Sequence, residues 1–403
     1  MTIKREGYMR MIRPFIDQTE LVKVLIGVRR SGKSVMLELI KQELMEKGVS
    51  PDNIISLNFE DLTYANYSDA LALHAYLKPK IDAINQRGRA YVFLDEIQEV
   101  DAWEKCVNSL RVNSNADIYV TGSNAKLFLG EYATLLTGRY VEFEIYPFSY
   151  EEYLSAREMA DSDLSFKEYL TYGGMPFIAA SNLDPSAKMQ YLKDIYASVV
   201  VKDIVKRNKL RDVDLLERII AFALSNIGNT FSANSICAYL KSERRTVTVD
   251  TVINYMNFCE KAFLLRRLNR VDLKGKLLLK INEKYYMSDH GLRQALFGTN
   301  FADIERVLEN IVCFELLRRG CSVAVGKNGD KEIDFVCDKC GKRFYVQVSY
   351  LLASEETIKR EFGAYEGIDD NFPKYVVSMD ALDMSRNGIV HKNIRDFILK
   401  FPE

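Results

Sequence analysis

Residues 27–34 read Gly27-Val28-Arg29-Arg30-Ser31-Gly32-Lys33-Ser34, the spacing G-x-x-x-x-G-K-S. Ahead of them Leu21–Ile26 (LVKVLI) is a short apolar run that reads as a buried strand. Behind them Val35, Leu37, Leu39, Ile40 and Leu44 recur at helical spacing. The motif therefore lies at a strand-to-helix turn, where such a loop cradles phosphates. Gly27 and Gly32 allow a tight turn that points backbone N–H groups inward. The helix opening near Lys33 adds its positive end. In this pattern Lys33 reaches the β- and γ-phosphates, and the Ser34 hydroxyl meets Mg²⁺. ATP and Mg²⁺ are thus the expected ligands, lined by Gly27, Val28, Arg29, Arg30, Ser31, Gly32, Lys33, Ser34 and Val35.

The second half of such a site needs carboxylates at the end of a buried strand. Ala90–Leu94 (AYVFL) followed by Asp95-Glu96 supplies them. Asp95 is expected to hold Mg²⁺, partly through Ser34 and water. Glu96 is expected to orient and deprotonate the attacking water. Asn53–Asn58 reads as a further strand and 68–86 as a helix. Trp103 falls in a helix, 101–113, as a core residue. Asp117–Val120 is the next strand and ends in Thr121-Gly122-Ser123-Asn124. Either Ser123 or Asn124 could touch the γ-phosphate, and Ser123 could equally cap the following helix. Arg139, in Thr137-Gly138-Arg139-Tyr140, reads either as a surface turn residue or as an arginine finger for a neighbouring subunit, which would imply a homo-oligomer.

Composition narrows the setting. The 403 residues allow several domains. Net charge of −1 leaves no global field to draw in nucleic acid, so that partner would need a local patch. Seven scattered cysteines form no even framework, which points to reduced thiols and a cytoplasmic protein. The first fifteen residues lack a signal-peptide core, and no apolar run approaches the length of a membrane span.

The segments GVRRSGKS, VFLDEIQEV, TGSNAKLF, LLTGRYVEFEIYPFSYEEY and Tyr172–Pro176 (YGGMP) together resemble one family. They are similar to the bacterial and archaeal AAA+ ATPases that carry a C-terminal restriction-endonuclease-like domain. The resemblance runs over nearly the whole chain. It implies an α/β fold with a five-stranded parallel sheet in the order 5-1-4-3-2. It also assigns nucleotide roles to Lys33, Ser34, Asp95, Glu96, Asn124 and Arg139. The expected domains are the AAA+ domain at 1–149, a helical lid at 150–211, a winged helix at 212–298 and the nuclease-like domain at 299–403. Arg207 or Arg211 could be the lid's nucleotide sensor, although a solvated helix face accounts for both.

Within 212–298, helices at 215–227, 232–240 (capped by Ser232) and 250–264 precede two strand-like segments, the outline of a winged helix. From Lys241 to Lys284 there are eleven basic residues and five acidic ones. That local excess suggests DNA phosphate contacts through Arg244, Arg245, Lys274 and Lys276. A basic solvated wing on a protein-binding module is the other reading. In the last domain Glu309 on a helix, Asp334 on a strand and a two-apart pair on the next strand match a restriction-endonuclease-like site. The pair should be Glu and Lys, but this chain has Gln347 and Ser349. Gln347 is a weak Mg²⁺ ligand and Ser349 brings no charge, so a fold kept without cleavage is expected. Cys337-Asp338-Lys339-Cys340 lacks a second pair and reads as a hairpin turn, not a zinc site.

Overall fold

A computed structural model describes residues 3–123, 136, 138–275, 277–298 and 303–401. The chain divides into two compact units, 1–147 with 261–263 and 148–260 with 264–403.

The first unit is a parallel α/β sheet. Its strands are β1 (Val22–Ile26), β2 (Ile54–Asn58), β3 (Ala90–Asp95), β4 (Ala116–Gly122) and β5 (Tyr140–Glu144). They lie in the order β2-β3-β4-β1-β5, the order expected. All neighbours are parallel. Parallel sheets are covered on both faces, which is why β1, β3 and β4 are buried along their whole length. Alternation sorts their side chains. Val22, Val24 and Ile26 join the core beneath α3 (Ala70–Asn85) and α4 (Trp103–Asn113), where Trp103 is also buried. Leu25 faces the other core, shared with α1 (Glu6–Ile12) and α2 (Lys33–Glu46).

One residue of the LVKVLI run is not apolar. Lys23 is fully buried and pairs with Asp117 on β4. Its Nζ also donates to the carbonyls of Gln18 and Leu21 (2.6 and 3.0 Å), while Tyr119 Oη donates to Asp117 (2.8 Å). A buried charge survives only when paired and hydrogen-bonded in this way.

The second unit opens with helices at Tyr150–Arg157, Asp163–Tyr172, Pro176–Ala180 and Pro185–Ser198. The stretch Val199–Lys206, within the expected helical lid, is π-helical. Helices Val213–Ser225, Ala233–Ser242 and Val249–Lys261 follow. Ser232 stands at the N-cap of the second of these but makes no side-chain cap, contrary to expectation.

Next come β6 (Leu265–Asp272) and β7 (Leu277–Met287), then β8 (Ser322–Asn328), β9 (Lys331–Lys339), β10 (Lys342–Val348), β11 (Lys374–Ser378) and β12 (Val390–Asn393). All seven belong to one sheet, ordered β12-β11-β10-β9-β8-β6-β7. The β6–β7 hairpin, read from the sequence as a wing, is joined to the C-terminal strands by parallel pairing of Arg270 with Val325. A hydrophobic hairpin pattern shows two strands but not which sheet they extend. No described helix is long and apolar enough to cross a membrane.

Candidate nucleotide site

The loop after β1 is shaped by its backbone. Arg30 and Gly32 have φ of 67° and 100°, and Gly32 N-caps α2 without a side-chain partner. The first N–H groups of α2 thus have no side-chain cap and favour an anion. Gly27 is required by a close approach, since a Cβ there would run into the Ile145 carbonyl oxygen. Lys33 is buried and its Nζ donates to the carbonyls of Gly27 and Val28, both at 3.1 Å. Ser31 Oγ is buried with no hydrogen-bond partner. An orphaned hydroxyl inside a loop of uncapped donors fits a phosphate ligand.

Asp95 ends β3 and Glu96 follows it, with β4 between β3 and the strand that carries the loop. Asp95 is bonded by Asn58 Nδ2 from β2 (3.2 Å), by the Thr121 hydroxyl from β4 and by Ser34. Burial raises its carboxyl above the usual range, the hydrogen bonds from Thr121 and Ser34 oppose this, and the Glu96 charge adds to it. A buried carboxylate beside a hydroxyl is a hard-oxygen pair suited to Mg²⁺. Glu96 adopts a left-handed backbone, φ 53°, and is buried. Its N–H donates to Thr121 Oγ1 (2.9 Å) and Gln98 Nε2 donates to its carboxylate. A non-glycine residue in that region costs of order 1–3 kcal/mol and is characteristic of sites. Thr121 therefore bridges both acidic residues, a contact the sequence reading did not single out. Ser123 is fully buried, and Asn124 lies outside the described residues.

Arg139 sits just before β5, where its carbonyl accepts from Val22 N–H at the start of β1. The five residues of β1 put it roughly 17 Å of strand from the loop, at the opposite end of β1. It cannot meet the nucleotide of its own chain.

A family model described as an AAA domain matches residues 19–154. An uncharacterized protein of Haemophilus influenzae is 40% identical over 380 residues, 93% of each chain. The chain belongs to the AAA+ P-loop ATPase family. A second relative of this AAA+ ATPase, an uncharacterized protein of Methanocaldococcus jannaschii, is 30% identical over 361 residues, 86% of this chain and 78% of that one. A model for a domain of unknown function matches residues 163–303. Among solved structures, Cdc6p of Pyrobaculum aerophilum covers 78% of this chain and 96% of its own at 11% identity and a TM-score of 0.31.

Elsewhere in the AAA+ chain, Glu309, Asp334 and Gln347 come together. Asp334 N–H donates to Gln347 Oε1 (3.2 Å), and Gln347 Nε2 donates to Glu361 (2.9 Å). Ser349 is buried near Glu305. The sequence reading missed Lys284 of β7. Its buried Nζ lies 3.1 Å from Glu309, 3.4 Å from Asp334 and 2.7 Å from Glu332. Burial alone would lower this ammonium, but the charges of Glu309, Asp334 and Glu332 outweigh it and raise it above the usual lysine range. Burial lifts the Asp334 carboxyl well up, and Glu309 adds to the effect. Among the described residues no three His, Cys, Asp or Glu side chains form a metal-holding group. Cys340 occupies the β9–β10 turn.

The basic candidates separate. Arg244 is exposed in a left-handed turn after the helix Ala233–Ser242, and Lys274 is exposed in the β6–β7 turn. Arg245 is paired with Asp214 and Asp212. Arg267 pairs with Glu260 and Glu283, and Arg270 with Glu332. Lys276 lies outside the described residues. Arg207 pairs with buried Asp203 at 3.8 Å, and Arg211 is exposed.

Proposed function

We propose that the chain binds ATP with Mg²⁺ in the 27–35 loop and hydrolyses it, and that residues 148–403 respond to that cycle on DNA. The observation that supports this best is Thr121, which ties Asp95 and Glu96 into one rigid pair beside the loop. In this reading Lys33 leaves the carbonyls of Gly27 and Val28 for the β- and γ-phosphates. Ser34 and Asp95 hold the metal. When bound, Mg²⁺ neutralises charge developing on the phosphoryl oxygens. Glu96, aimed by its left-handed backbone and by Gln98, takes the proton of the attacking water. Asn124 contacts the γ-phosphate, and Arg139 of a second copy completes the site.

Residues 150–211 act as a helical lid, 212–298 as a winged helix and 299–403 as a nuclease-like scaffold without cleavage. Arg244, Lys274 and Lys276 carry the DNA contacts, with Arg245 contributing less because of its acidic partners. The free thiols among the described residues suit a cytoplasmic setting. A second reading makes 148–403 a protein-binding module gated by nucleotide. The ion pairs that neutralise Arg245, Arg267, Arg270 and Lys284 favour it.

ATP turnover measured with duplex, single-stranded, forked and four-way DNA separates the two. Stimulation by one of these, abolished by Arg244→Glu with Lys274→Glu, supports the DNA reading. No stimulation and no salt-dependent gel shift with any of them sinks it. Full ATPase activity in Lys33→Ala and Glu96→Gln would sink the hydrolysis reading.

A further inference from the structure

Arg5, in the N-terminal segment outside the matched AAA domain, reaches the nucleotide loop. Arg5 is 1% exposed. Its Nη1 donates to the carbonyl oxygen of Ser31 (3.1 Å) and its Nη2 to that of Tyr146 (2.8 Å), just beyond β5. The guanidinium lies over the Tyr8 ring, 4.5 Å from the ring centre. Tyr8 Oη in turn accepts the Tyr146 N–H at 3.0 Å. Tyr8, Met9 and Ile12 anchor α1 in the same core as Met36, Leu37 and Ile40 of α2. Arg5 is therefore seated on a packed helix, with both ends of its planar fork engaged.

We propose that Arg5 is a positioning residue for the nucleotide loop. A trans peptide is planar, with its C=O and the following N–H pointing in opposite directions. Anchoring the Ser31 oxygen from behind thus fixes the direction of the Gly32 N–H, which points away from Arg5. Gly32 is where the loop needs help, because its φ of 100° lies in a region only glycine adopts freely. Without an anchor the 31–32 peptide can flip, and the loop loses a donor to the α- and β-phosphates. Lysine is a poor substitute for a planar fork that reaches two carbonyls.

This inference rests on the nucleotide reading above, and affinity for ADP separates the two. In the full chain, Arg5→Met is expected to weaken binding of a fluorescent ADP about tenfold. It should raise the KM for ATP by a similar factor and leave kcat within about twofold, because Asp95 and Glu96 are untouched. Arg5→Lys should weaken ADP about threefold. A merely structural role would lower the melting temperature and leave ADP affinity unchanged in the folded protein. That result in Arg5→Met overturns the proposal. If Arg5→Met does not fold, unchanged ADP affinity in Arg5→Lys overturns it. If Lys33→Ala weakens nucleotide binding while both Arg5 variants bind normally, the site stands and only this inference falls. A wild-type chain that binds neither ADP nor ATP overturns both.

Discussion

The Lys284 ammonium lies 3.4 Å from Asp334 Oδ1, across fifty residues of sequence. The Glu309 carboxylate is 3.1 Å from the same nitrogen and also accepts from Tyr286 Oη at 2.6 Å. A covalently attached cation thus stands among the carboxylates that a nuclease would use for metal. Lys284→Met should leave them uncompensated and cost about 3–5 kcal/mol. Urea unfolding measures the loss, and Asp334→Asn in the same background should restore part of it. Without nucleotide, EDTA and Mn²⁺ should leave the wild-type melting temperature unchanged. A clear Mn²⁺ stabilisation would mean that the cluster still takes a metal.

Thr121 tests the nucleotide site without touching its charges. Thr121→Val keeps the shape but removes the hydroxyl that donates to Asp95 and accepts from Glu96 N–H. The expected result is a kcat lowered about tenfold, near 1.4 kcal/mol, with ADP affinity close to wild type. Steady-state turnover and nucleotide titration check it. Unchanged kcat would remove Thr121 from the catalytic arrangement.

Gly173 of the YGGMP segment has φ of 72°, and a Cβ there would collide with Asp289 Oδ1. Asp289 also accepts the Gly174 N–H at 2.7 Å. Gly173→Ala should destabilise the chain by well over about 1 kcal/mol. Gly48→Ala is the control. Its φ is 92°, with nothing within 4 Å of a new Cβ, so it should pay only for backbone strain. Equal melting temperatures for the two variants would contradict the collision.

Two histidines set an acid sensitivity. Burial pushes His290 below its ordinary 6.5, with Asp289 opposing, and its Nε2 bonds the Tyr169 carbonyl at 2.6 Å. Burial does the same to His391, whose Nδ1 accepts the Met384 N–H at 3.2 Å. Below 6.5 the unfolded chain takes up protons that these folded sites refuse, so stability falls as pH falls. Between about pH 7.5 and 5.5 the wild type should lose more melting temperature than His290→Asn/His391→Asn. Parallel profiles would rule this cause out.

The sequence made the nucleotide loop, the Asp95-Glu96 pair and the parallel strands visible, because each is a local pattern of spacing and hydrophobicity. The strand order came only with the family resemblance. Thr121, Arg5 and Lys284 were hidden for a different reason. Each acts across sheet or helix packing on partners at least 25 residues away, and each looks unremarkable in its own segment. Lys23 was masked inside an apolar run because only the fold brings Asp117 beside it. The basic excess of 241–284 was legible as a count, yet its acidic partners at 212, 214, 309, 332 and 334 lie outside the counted window.

The pairing of β6 with β8 has a consequence for how this chain can be cut and recombined. A fragment stopping near residue 300 would keep the β6–β7 hairpin but strip β6 of β8, and present that edge's raw amide and carbonyl groups to any passing strand. Such a piece would tend to clump. Exchange between relatives should therefore move the 264–401 stretch as a single inherited cassette, hairpin included.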